Sequence, residues 1–385
     1  MKVGNRMKRR AIWGIAAVLV LFFAVLVWVF LRTEPNTETE PAPQGAVPST
    51  PPIVEQQAPV PDTSEPAKSV LGYYTQYAAE DKNSYRSLAT HSDYLDQVTM
   101  MTFHVTATGD IAGTPATEGI DLAASKRVPL YASLTNESDA GFDKKLAHTV
   151  LSNPDLRQKT VSRALDLVKQ NRFGGLNLDF ENMYPTDRAA YTSFVQELAE
   201  AMHNHSYRLI VSAAAKQADA PQSNWFGAFD YAALGQAADQ VQLMTYDENG
   251  PWGDPGSVAG YPWVESVISY AVSVIPSHKI LIGLPSYGYD WNMTAGTGKA
   301  VTWKGIPNLL AKTGAKPQWD VGKRSPYFSY TAEDGSAHIV WYEDERSITA
   351  KVQLVHGYEL GGVSVWRMGL EDESFWQAVQ SGLAE

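Results

Sequence analysis

Cysteine is absent from all 385 residues. That excludes disulfides, thiolate metal sites and a cysteine nucleophile. Charge is scarce as well: Asp, Glu, Lys and Arg make up 19% of the chain against 44% hydrophobic residues, so a large core is available without cross-links. The formal net charge of −11 argues against a nucleic-acid partner. Histidines are few, and the one close pair, His203 and His205, falls where a helix should end before a strand, with no third ligand nearby. Neither a metal nor any other cofactor is expected.

What the chain does have begins with 21 uncharged residues at 11–31, AIWGIAAVLVLFFAVLVWVFL. At about 1.5 Å per residue they span roughly the 30 Å hydrocarbon core. Lys2, Arg6, Lys8, Arg9 and Arg10 precede them, which predicts a cytoplasmic N-terminus (1–10) and an uncleaved anchor (11–31). A signal peptide is the competing reading, but its apolar region is shorter, about 7–15 residues, and ends at a small-x-small site. Residues 32–69 then hold nine of the 22 prolines and six acids, with almost no large aliphatic side chains. Such a segment cannot bury enough surface to fold and reads as a disordered stalk. The remainder, 70–385, is expected outside the cytoplasm, at the cell surface or in a spore envelope.

From residue 70 onward eight short apolar runs alternate with helical stretches. The runs are 70–74, 98–105, 128–135, 174–181, 208–215, 240–246, 280–289 and 361–369, and the clearest helices are 154–171, 186–204, 262–275, 345–357 and 373–383. Near-continuous apolar runs rich in β-branched residues suit strands covered on both faces. The alternation predicts a closed (β/α)8 barrel; a doubly wound open sheet is the alternative, but no Gly-x-Gly-x-x-Gly follows the first run. Residues 290–344 are too long for one crossover and read as a small α+β insertion, with a hairpin turn at Asp334-Gly335. Met100, Met101 and Met244 are expected in the core. In Glu343-Asp344-Glu345 the acids suit the start of the helix that follows the insertion.

The stretch GGLNLDFEN, 174–182, places Asn177, Asp179 and Glu181 at two-residue spacing between Leu176, Leu178 and Phe180. A barrel strand points alternate side chains inward, so the polar set shares the inner face and ends at the C-terminal mouth. Two carboxyls about 7 Å apart along a strand couple, and the outer one can stay protonated to serve as an acid. A structural acid cluster tied to lysine or arginine is the competing reading. Tyr73, Tyr287, Trp252 and Trp291, at or just beyond strand ends, are candidate aromatic platforms for a substrate, with core or rim packing the competing reading for each and Tyr73 and Trp291 preferred.

These residues carry a resemblance. FGGLNLDFE resembles the Asp-Gly-x-Asp-x-Asp-x-Glu signature of the family 18 glycoside hydrolases, matching at Gly175, Asp179 and Glu181 and departing at Gly174 and Asn177. LMTYDENG (243–250) is similar to that family's sixth-strand segment and VSVWRMG (363–369) to its eighth-strand tryptophan segment. The segments NLDFENMYPTDRAAY and GLPSYGYDW look like a bacterial branch tied to spore-cortex lysis and germination, in which Asn at the place of Asn177 is common.

The resemblance implies a retaining N-acetylglucosaminidase in which Glu181 is the acid and the sugar's own 2-acetamido oxygen is the nucleophile. Asp179 would orient the acetamide, Tyr246 would bond its carbonyl, and Asp247 would support the substrate or Asp179. Trp366 would form the floor, and Asn177 would hold Asp179 by a hydrogen bond. Peptidoglycan is the expected polysaccharide partner, with chitin, or a non-catalytic lectin-like wall module, as alternatives. With Asn rather than Asp at 177, the acid limb of the pH–rate profile should be simpler; an additional, strongly shifted acid-limb pKa in kinetic data would contradict this.

Overall fold

The structure, a computed structural model, describes residues 68–384. The expected anchor at 11–31 and the linker up to residue 67 lie outside the described residues. Among the described residues no helix is long and apolar enough to cross a membrane.

Eight parallel strands form the frame: β1 Ser69–Thr75, β2 Gln97–Val105, β3 Leu130–Thr135, β4 Gly175–Asp179, β5 Arg208–Ala214, β6 Gln240–Met244, β7 Ile280–Pro285 and β8 Gly362–Trp366. Each pairs with its neighbour in chain order, and β1 pairs with both β2 and β8, with Ser69 opposite Gly362. The sheet therefore closes on itself, and the open doubly wound alternative is excluded. Closure brings β4 against β5 so tightly that a Cβ on Gly175 would lie 2.0 Å from the Arg208 carbonyl oxygen. Glycine at this place in the motif is a packing requirement.

The alternation in β4 divides its side chains as a barrel demands. Leu176, Leu178 and Phe180 are buried in the large core between strands and helices. The Phe180 ring packs 5.6 Å from that of Phe194 on the helix Arg188–His203. Burying each such side chain stabilises the fold by about 1.5–3 kcal/mol. Inside the barrel a separate cluster of Leu71, Tyr73, Tyr131, Ile210 and Leu281 fills the lumen, with Met101 and Trp366 against it.

Local signals set several helix starts. Pro154 opens the helix Pro154–Gln170, and the Asn153 side chain accepts from the amides of Asp155 and Leu156. The expected start at Thr186-Asp187 is a single 3-10 turn, Pro185–Asp187, and the α-helix begins at Arg188. Asp187 meets His148 at 2.6 Å instead of capping the helix. The segment 345–357 is two helices, Glu345–Val352 and Leu354–Gly357.

The seventh run is where the chain departs most from the sequence reading. Strand β7 stops at Pro285, and a new strand, Tyr287–Asn292, begins two residues later in a different sheet. Proline has no N–H with which to extend a ladder, so 280–289 cannot be one strand. The insertion thus starts at Tyr287 and not at 290. It is a five-stranded antiparallel sheet with one α-helix, Ile306–Thr313. The hairpin joining its strands Ser325–Thr331 and Ala337–Trp341 turns at Asp334-Gly335, where Gly335 adopts φ +84°.

The acidic triplet after the insertion divides its labour. Asp344 caps the helix through a reciprocal pair of bonds with Ser347, and Glu345 lies in the first turn. Glu343 instead is fully buried, 2.6 Å from the equally buried Lys351 Nζ. Removing one partner strands a charge in the core. Lys351→Met should therefore cost about 3–5 kcal/mol in urea unfolding, and adding Glu343→Leu should recover much of it. A single-variant loss below about 1 kcal/mol would show that water reaches the pair.

Candidate active site

The C-terminal mouth of the barrel holds a cleft of about 290 Å3, whose lining includes Tyr73, Asp179, Glu181, Tyr246, Asp247 and Trp366. The fold delivers these groups from four different strands. Tyr73 stands on β1, Asp179 ends β4, Glu181 follows two residues later, Tyr246 and Asp247 follow β6, and Trp366 ends β8. Gly283 on β7 makes room for one of them, since a Cβ there would fall 2.6 Å from Tyr246 Cε1.

Asp179 is buried, and its Oδ1 has no hydrogen-bond partner among the described residues. Burial, then the nearby charge of Glu137, raises its pKa to about 7, against a smaller opposing effect of the Ser212 hydroxyl. Glu181 is pushed well above the usual carboxyl range by burial, then by Asp179, Asp247 and Glu137. These shifts favour a protonated carboxyl at neutral pH, which is what proton donation to a leaving oxygen needs. Among the described residues no lysine or arginine acts on either group, which speaks against a salt-bridged structural cluster.

Glu181 has already left the strand, and its backbone is fixed by a side chain. Asn136, fully buried at the end of β3, accepts from the Glu181 amide at 2.8 Å and donates to its carbonyl at 2.9 Å. Asn136 is a positioning residue that the sequence reading missed; one amide in a strand-end loop gives no signal of its partner 45 residues away. Glu137 beside it was missed for the same reason. It brings a further carboxyl close enough to raise both Asp179 and Glu181.

Asn177 does not hold Asp179 directly, as the sequence reading expected. Its Nδ2 donates to the Tyr73 hydroxyl at 3.2 Å, and its Oδ1 accepts from Ser212 Oγ at 3.2 Å. Tyr73 and Ser212 lie 2.9 Å apart, and Tyr73 also reaches Gln242 at 3.3 Å. This neutral web below the acids comes from β1, β4, β5 and β6, and it meets Asp179 through Ser212. Register explains the difference: residues two apart on one strand cannot bond as well as residues facing each other across the lumen.

Tyr73 and Trp291 differ from the platforms expected of them. Tyr73 is 2% exposed, and its ring meets Trp366 edge-on at 5.5 Å, so it supports the floor from below. Trp291 is buried away from the cleft lining, and its Nε1 donates to the Gly253 carbonyl at 3.1 Å. The exposed indoles on the cleft are Trp252, in that same loop, and Trp225. Met244 packs against the core as expected and also lines the cleft.

Asp247 is tied to the insertion. It adopts φ +61° and accepts from the hydroxyls of Tyr287 and Tyr289 at 2.6 and 2.8 Å. Burial raises its pKa, and the two phenols oppose that by stabilising the charged form. Tyr246 is raised well above the phenol range, chiefly by burial, and so remains a hydrogen-bond donor. His203 pairs with Asp239 at 2.9 Å while His205 meets the Ala201 carbonyl, so the two imidazoles do not converge.

Comparison with known proteins agrees with this geometry. Residues 69–371 match the model of the glycosyl hydrolases family 18. The chain is 37% identical over 314 residues to the uncharacterized glycosylase YvbX of Bacillus subtilis, covering 81% of this chain and 91% of the relative. It is 30% identical over 289 residues to the cortical fragment-lytic enzyme of B. subtilis, covering 74% and 67%. Among solved structures, a chitinase from Chromobacterium violaceum superposes with a TM-score of 0.78 at 38% identity, covering 83% of this chain and all of that one. The spore cortex-lytic enzyme SleL of Bacillus megaterium gives 0.76 at 27% identity, covering 84% and 75%. The chain belongs to glycosyl hydrolase family 18.

Proposed function

We propose that this glycoside hydrolase cleaves peptidoglycan after N-acetylglucosamine, by a retaining mechanism in which the substrate's acetamido group is the nucleophile. The observation that carries the reading is the unpartnered, buried Asp179 Oδ1 beside a raised-pKa Glu181 in one cleft. A buried carboxylate oxygen without a donor is costly. An acetamide N–H from the sugar is the donor that would satisfy it.

Glu181 gives its proton to the glycosidic oxygen as the C1–O bond breaks, and the acetamido oxygen closes on C1 to form an oxazolinium. Asp179 accepts from the acetamide nitrogen and offsets its growing positive charge. Tyr246 donates to the acetamide oxygen, and Trp366 packs against the sugar's C–H face. Water then attacks C1 from the side the leaving group vacated, returning its proton to Glu181 and restoring the acetamide. Asn136 holds Glu181 in line through both steps.

The substrate assignment draws on relatives whose names speak of spore cortex, and on placement. An anchor at 11–31 followed by a proline-rich stalk would put the barrel outside the membrane. At about 3.1 Å per residue the 38-residue linker could extend to roughly 120 Å, enough to bring the cleft into a wall. Chitinases among the similar structures make chitin the second substrate to try.

Two measurements test the proposal. Wild type incubated with cortex and vegetative peptidoglycan should produce new N-acetylglucosamine reducing ends by mass spectrometry. Glu181→Gln should lower the rate about 100-fold or more while binding persists. Binding without turnover in the wild type would point instead to a lectin-like module. The second reads stability. Asp179's pKa is higher folded than unfolded, so its favourable contribution is complete below about pH 4 and lost as pH rises through about 7. Asp179→Asn should therefore stabilise the protein at pH 8 by on the order of 1–4 kcal/mol and do little at pH 4. Equal melting shifts at both pH values would refute the assigned burial.

A further inference from the structure

We propose that Arg367 binds a carboxylate on the sugar next to the one that reacts, so that the cleft selects an acidic amino-sugar polymer over a neutral one. This rests on the reading of the cleft as a glycan-hydrolysing site.

Arg367 directly follows Trp366, whose indole lines the cleft. Two contacts aim its side chain across the end of β1. Its Nη1 donates to the buried Thr75 Oγ1, and its guanidinium carbon lies 5.0 Å from the ring centroid of Tyr77. Its backbone is held too, because its carbonyl accepts from Ser286 Oγ at 2.7 Å. Tyr77 is 72% exposed, so cation and ring form an open shelf beside the cleft floor.

Four other cations at this mouth are matched to carboxylates. Lys82 meets Glu118 at 2.7 Å, Lys323 meets Glu248 at 2.7 Å, and Arg188 and Lys216 meet Asp219 at 3.0 and 2.8 Å. Among the described residues Arg367 forms no ion pair, and Thr75 takes only one of its five donors. A planar guanidinium with free edges suits a carboxylate through two parallel bonds.

The setting makes that choice useful. The cleft is lined by the carboxyls Asp179, Glu181 and Asp247 and, among the described residues, by no cation that could hold an anionic polymer, while neutral chitin has nothing to offer a cation. A guanidinium held beside the cleft floor would supply that cation, and Tyr77 would offer an aromatic face to the same sugar. A muramoyl residue carries such a carboxylate in two ways: as a free 3-O-lactyl group, or on the peptide attached to it. A purely structural strut on Thr75 and Tyr77 would fix the loop without distinguishing substrates.

The test is a specificity ratio. For the full chain, kcat/KM is measured on a peptide-free N-acetylglucosamine–N-acetylmuramic acid tetrasaccharide, on the same glycan bearing stem peptides, and on chitotetraose. The acidic-to-neutral ratio should fall about 10–100-fold in Arg367→Gln and recover in part in Arg367→Lys. Whichever acidic glycan shows the larger fall names the carboxylate's source. A ratio unchanged by both substitutions overturns the proposal, as does an equal loss on all three glycans. The same ratio read as binding affinity in a Glu181→Gln background needs no turnover. An acidic preference there that Arg367→Gln abolishes supports the carboxylate site even if the wild type cleaves nothing. No preference there defeats it even if the wild type is an active hydrolase.

Discussion

Keeping Asp179 and Glu181 together on the wall of one cleft is the constraint on which the rest of the site depends. Burial raises the pKa of both, Glu137 adds to both, and Asp179 raises Glu181 further, so the pair resists full ionisation. The protein answers with neutral donors instead of a cation. Tyr73, Asn177, Ser212 and Gln242 form a web beneath the acids that fixes geometry without discharging either group. An arginine there would relieve the strain and remove the proton donor with it.

The same logic explains the insertion. Its first strand supplies Tyr287 and Tyr289 to Asp247, and its Trp291 braces the loop that displays Trp252. The five-stranded sheet therefore works from a distance: it anchors one acid and holds one exposed indole over the groove. Lys323, between its strands, is paired with Glu248 two residues after Tyr246. The insertion is bonded into the site's second layer at several points, and its boundary at Pro285–Tyr287 falls directly against the cleft wall.

Legibility in the sequence followed the range of the interaction. The two-residue alternation in β4 was readable because strand geometry alone assigns faces, and the eight apolar runs were readable because a covered strand needs no partner to look apolar. The same runs misled at 280–289, where one proline moved the chain from the barrel into another sheet. Asn136, Glu137 and Ser212 stayed hidden, since each acts on a residue at least 33 positions away and is an ordinary polar residue in its own surroundings. Trp291 misled for the opposite reason: an aromatic near a strand end looks the same whether it faces a sugar or a neighbouring loop.

By itself the sequence determined the repeating strand–helix order, the inward set Asn177, Asp179 and Glu181, and the segments at 243–250 and 363–369 that carry Tyr246, Asp247 and Trp366. These depend on periodicity and local chemistry, which the chain carries wherever it goes. Only the tertiary structure decided that Asn177 bonds Tyr73 and Ser212, that Asn136 clamps Glu181, that Asp247 belongs to two tyrosines of the insertion, and that Arg367 lies open on Tyr77. Those are contacts between strand ends that meet only because the sheet closes, and closure is a property of all eight strands at once.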